Sequence, residues 1–160
     1  MLATMPASAQ EQRRTSLVSS VAKAVALDPF TYAPAIAKYE AMHLDWESSQ
    51  IFFQHGFVER NARYTVSGRS NDVAISHGAG SQKVALDSLK MLTRSASSNF
   101  AERTLEQLLV RKYPNHKKTW LIVGRASRIA RSSYLAYSSS IDHFRQWRGN
   151  QRLARQMGYQ

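Results

Sequence analysis

Helix breakers are scarce in this chain. Four prolines and seven glycines are spread over 160 residues, and they punctuate it at Pro29, Pro34, Gly56, the run from Gly68 to Gly80, Pro114 and Gly149. Proline removes a backbone donor and glycine loses the most conformational freedom on ordering, so intervals free of both favour long helices. Residues 11 to 27 place Leu17, Val21, Val25 and Leu27 at helical spacing, and Asp28-Pro29 closes that run because a residue before proline avoids the α region. From Tyr32, positions 32, 36, 39, 43, 46, 50, 53 and 57 follow a three-four spacing and read Tyr, Ile, Tyr, His, Trp, Gln, Phe and Phe. This seam predicts a central core helix with Ile36, Trp46 and Phe53 among its most buried residues. His43 and Gln50 lie on it as polar members.

Residues 62–81 are rich in Gly, Ser and Asn without a sustained period and predict one long loop, with short strand pairing left open. Helical spacing resumes at Ser81. Asn99 with Glu102 resembles a capping box for a further stretch to about Lys112, so this region is either two helices or one kinked helix. Pro114-Asn115 reads as a stop and a new N-cap, followed by a last helix from about 117 to 148 or as far as Arg155. No repeat of solenoid period occurs, and the expected fold is all-α, a bundle of four to five helices.

A hydrophobic content of 43% suits one core at this length, so residues 11–160 are read as a single helical domain. Residues 1–10 are expected to be a disordered tail or a signal-peptide remnant, since Ala7-Ser8-Ala9 is a small-x-small pattern. The absence of cysteine excludes disulfides, a thiolate nucleophile and cysteine-based zinc sites. With 22 Lys and Arg against 11 Asp and Glu, the formal charge of +11 attracts polyanions, and both anionic lipid and nucleic acid suit it. The most apolar stretch, Thr119 to Ile141, is interrupted by Arg125, Arg128 and Arg131, so hydropathy supports no unaided span.

His43/Glu47 and His55/Glu59 are each four apart and stack on a helix face, but no Glu-x-x-His accompanies them, and they read as solvated ion pairs. No triad, nucleophile elbow or phosphate loop appears, so no catalytic residue, metal or cofactor is assigned. The basic residues are better ordered. Arg145, Arg148, Arg152 and Arg155 form a stripe on the last helix, with Trp147 and Phe144 beside it, a pattern suited to an anionic bilayer or to phosphates of nucleic acid. Arg125, Arg128 and Arg131 recur every third residue and fan around a helix of small side chains, which permits close packing against a neighbour.

Asp45-Trp-Glu-Ser-Ser49, then Phe52-Phe53, Gly56, Glu59 and Asn61, with a distant helical His143 before Arg145, resembles a loose group of small bacterial membrane or envelope proteins. The shared pattern is D-x-x-[ST]-[ST]-x-x-F, then G, E and N, and a late helical His. The resemblance implies hydrophobic helices in or against the cytoplasmic membrane and a polar cluster of Asp45, Glu59 and His143. The chain departs from the group at Lys90, Arg94, Arg125, Arg128 and Arg131, which fall where apolar spans belong. On one unbroken helix Asp45 and Glu59 would lie about 21 Å apart, so a single site needs a break near Gly56, and otherwise Asp45 is the partner of His143. The expected function is non-enzymatic association with an anionic membrane surface or a membrane protein complex. A nucleic-acid module using Tyr64, Tyr134 and Tyr137, or a basic subunit of a larger assembly, is the alternative.

Overall fold

The computed structural model describes residues 7–159, with side chains from residue 17 onward. Four α-helices make up most of it: α1 (Ala7–Ala26), α2 (Pro29–Gln54), α3 (His77–Lys112) and α4 (Lys117–Gln156). Of the segment read as a tail, residues 1–6 lie outside the described residues and residues 7–10 belong to α1.

The turn from α1 into α2 is built by side chains. Asp28 caps α2 by accepting from the Phe30 amide at 3.0 Å, and Pro29 takes the first helical position, where its missing N–H is no loss. Thr31 and Tyr32 reach back to the last carbonyls of α1, donating to Val25 at 2.8 Å and Ala26 at 2.7 Å. Pro34 lies inside α2 and cannot bond the Phe30 carbonyl; Ser95 of α3 donates to that oxygen instead, at 3.4 Å.

At its other end α2 stops at Gln54, earlier than the seam suggests. Gly56 adopts φ +80°, the Phe57 amide bonds the Phe52 carbonyl at 3.0 Å and the Gly56 amide bonds Phe53 at 3.1 Å. These are the two bonds of a Schellman motif, sealed by the Phe52–Phe57 ring contact at 5.7 Å. Phe57 therefore lies past the helix. The chain then returns through isolated bridges, Glu59 with Asp72 and Thr65 with Ala74, and a short 3-10 turn at 62–64. Ser76 caps α3, which runs unbroken to Lys112, so Asn99 is a mid-helix residue and not a cap.

α2 and α4 run parallel, as the pairings Asp28–Arg128, Ala35–Leu135, Asp45–His143 and Ser49–Asn150 show, with α3 antiparallel to both. α2 packs most extensively along α4, then along α3, and α1 lies on α3. The hydrophobic core is divided: Met42, Trp46, Tyr64 and Val84 form one cluster and Ala35, Met91 and Leu135 another.

The inward face of α2 is displaced from the predicted seam. Trp46 is buried and Phe53 packs against its cluster, but Ile36 is 58% exposed, and the face toward α3 and α4 carries Thr31, Ala35, Met42 and Phe52. Small and polar side chains take the interior because the neighbouring helices come close. A Cβ at Gly80 would overlap the Trp46 indole, and one at Gly124 would overlap the Glu106 carboxylate.

Beyond the Ala35, Met91 and Leu135 cluster, at the end of the bundle where α2 begins, lies a charged interior. Asp28 is bonded by Arg103 and by Asn99 at 3.1 Å, Asn99 also donates to Thr31 at 2.7 Å, and Arg128 donates to Glu106 at 2.6 Å. Burial pushes the Asp28 carboxyl up, but the bonds from Arg103, Asn99 and the Phe30 amide outweigh it and hold its pKa below the usual range. The three arginines read as a fan thus have different fates. Arg128 is buried, Arg131 pairs with Glu102 at 2.6 Å, and Arg125 is exposed. Among the described residues no helix is long and apolar enough to cross a membrane.

Candidate functional site

The parallel lower halves of α2 and α4 bring together polar residues distant in sequence. His143 Nδ1 lies 2.8 Å from Asp45 Oδ2. Two turns further along α4, Asn150 donates to the hydroxyls of Ser48 at 3.1 Å and Ser49 at 3.0 Å. Both serines in turn donate to the Asp45 carbonyl at 2.9 Å, so one polar ladder runs along the helix contact.

Because α2 ends at the Schellman turn, the following segment folds back beside this ladder. Glu59 is pinned there by its backbone bridge to Asp72, and its carboxylate accepts from the Asn61 amide at 2.6 Å. A cavity of about 390 Å³ results, bounded by α2, the returning segment and α4, and Asp45, Glu59 and His143 all line it. Only Asp45 and His143 are bonded to each other; Glu59 faces the same space without reaching the histidine.

Trp46, Phe52, Phe53 and Phe57 supply aromatic walls, and Tyr64 packs on Trp46 with ring centroids 5.2 Å apart. The Tyr64 hydroxyl is buried without a hydrogen-bond partner. Burial pushes the phenol pKa up, and the charge of Asp87 adds to that, as do Asp45 and Glu59 to a smaller extent. Tyr64 is thus an interior residue, unavailable for the stacking on bases that the nucleic-acid reading gave it. Asn150 carried one legible signal, a position seven residues after His143 and hence on the same helix face.

The helical His/Glu pairs rearrange. His43 lies 3.8 Å from Glu47, whose carboxylate is held closer by His77 at 2.6 Å. His55 leaves Glu59 and stacks on Tyr159 at 3.8 Å. No group of three His, Asp or Glu side chains able to hold a metal ion occurs among the described residues.

Arg145, Arg148, Arg152 and Arg155 are all exposed, on the side of α4 away from His143 and Asn150. Arg145 pairs with the exposed Asp142 at 3.2 Å, and Arg155 bonds the Gln151 carbonyl. Arg148 and Arg152 make no ion pair among the described residues. Trp147 is half-buried and sits edge-on to Phe144 at 6.4 Å, beside the stripe rather than on it. Comparison with known proteins finds no matching family model, no matching curated protein and no matching solved structure.

Proposed function

We propose that the protein is a non-enzymatic helical module that docks on anionic membrane surfaces, at the cell membrane or envelope, through the arginine face of α4. The observation that carries this reading is the outward turn of Arg145, Arg148, Arg152 and Arg155 while Asp28, Asp87 and Glu106 are buried. Drawing acids inward leaves a surface more one-sided than the composition alone, and such a surface attracts anions over roughly 10 Å at 0.1 M salt. Lipid is favoured over other anions by apolar side chains left in water near the α3–α4 turn. Leu105, Leu108 and Ile122 are each more than half exposed, among Arg111, Lys112, Lys117 and Lys118.

The experiment is co-sedimentation with vesicles of phosphatidylcholine alone or mixed with phosphatidylserine. Each arginine near an anionic bilayer contributes about 1 kcal/mol, so changing all four to Gln releases the protein at low salt, and raising the salt does the same to the wild type. Equal binding to neutral and anionic vesicles, or none to either, refutes the reading. The second reading, nucleic acid, is favoured by Tyr134 and Tyr137, which are exposed on α4, with the exposed Arg131 one turn before Tyr134. Retardation of RNA on a gel without vesicle binding would establish it in place of the first.

A further inference from the structure

We propose that the cavity between α2, the returning segment and α4 binds a small primary alkylammonium, its charge on Glu59 and its apolar body against the aromatic walls. The proposal is independent of the arginine face.

Its first support is electrostatic. In a chain with 22 Lys and Arg, the half-buried Glu59 has no cationic partner among the described residues. Asp28, Asp87, Glu102 and Glu106 are each paired with an arginine. One oxygen of Glu59 accepts from the Asn61 amide, and the residue lines the cavity. The other charged groups on the lining are Asp45, held by His143, and the exposed Arg60, which forms no ion pair with Glu59.

The second support is shape and surface. About 390 Å³ is the size of a small-molecule pocket, and Trp46, Phe52 and Phe53 line it with aromatic rings of the kind that attract cations. At the mouth, Phe57 and Val58 are 43% and 50% exposed, an apolar rim that an alkyl chain would cover. A neutral or anionic ligand gains nothing from Glu59.

The test uses the full chain and butylammonium chloride, with butanol and sodium butyrate at equal ionic strength, followed by the indole N–H resonance of Trp46. We expect a saturable shift with butylammonium and none with the other two. Glu59→Gln keeps the acceptor for the Asn61 amide and removes the charge, and should weaken binding about tenfold, the scale of one charge-assisted hydrogen bond. A shift caused equally by butanol, a preference for butyrate, or unchanged affinity in Glu59→Gln would each overturn the proposal. Should Glu59→Gln fail to fold, the ranking of the three ligands on the wild type still decides. No shift with butylammonium would also overturn the proposal, and a shift with phosphatidylethanolamine vesicles but not phosphatidylcholine vesicles, beside that with butylammonium, would assign the amine to a lipid headgroup.

Discussion

Gly124→Ala should be destabilising, against the ordinary preference of a helix. In an exposed helix interior this change gains about 1 kcal/mol, because alanine loses less backbone freedom. Here the new methyl would occupy the space of the Glu106 carboxylate. Glu106 and Arg128 are each 8% exposed and bonded at 2.6 Å, and among the described residues the only other carboxylate paired with the Arg128 guanidinium is Asp28, at 3.7 Å. Displacing Glu106 leaves a buried charge without its main partner, which costs about 3–5 kcal/mol. The net loss should be about 2–4 kcal/mol, a large part of the 5–15 kcal/mol of an ordinary domain. Urea unfolding followed by circular dichroism reads it as a lower midpoint at unchanged slope. The decisive comparison uses Glu106→Ala as the background, where the obstacle is gone and Gly124→Ala should turn stabilising. A stabilising effect in the wild type, or an equal loss in both backgrounds, would refute the reasoning.

Two further outcomes follow from the polar contacts. Asp45→Asn and His143→Gln should each lower the urea midpoint, and the double variant should lose less than their sum by about 1 kcal/mol, the coupling of two bonded groups; strict additivity would dissolve the pair. Asp28 and Asp87 titrate below the usual carboxylate range, Asp87 chiefly through its bond from Arg63. Their contribution to stability is therefore complete above the unfolded value, near pH 4, and is lost as pH falls through the lower folded values. Urea midpoints measured downward from pH 6 should fall below about pH 4, and Asp28→Asn, less stable at neutral pH, should fall less steeply; parallel profiles would contradict this assignment.

The helices were legible from breaker spacing and three-four periodicity, since Asp28-Pro29, Gly56 and Pro114 each stand where a helix starts or stops. The inward face of α2 was not legible. A seam drawn through Tyr32, Ile36 and Tyr39 follows side-chain size, whereas the structure buries Thr31, Pro34 and Ala35 beside it, where small residues let helices meet. The buried network escaped for a related reason. Asp28 looked like a stop, Asn99 like a cap and Arg128 like one charge among many, and each takes its meaning from partners on other helices, 22 to about 100 residues away. Asp45 and His143 could be paired from the resemblance and from helix geometry, but the return of Glu59 to the same cavity depends on the positive φ at Gly56 and the bridge to Asp72.

The parallel pairing of α2 with α4 also bears on synthesis. A nascent chain that has delivered α1, α2 and α3 from the ribosome holds Asp28 and Glu106 without Arg128, and α2 without its most extensive neighbour. One of its two apolar clusters is then incomplete, since Leu135 belongs to α4. Helical hairpins of neighbouring segments assemble as they emerge, but a parallel pair separated by a whole intervening helix cannot close until the later member is free. Folding of this bundle therefore waits on α4, and a ribosome paused before Arg128 is translated would present an unclosed bundle with charged groups open to chaperones and proteases.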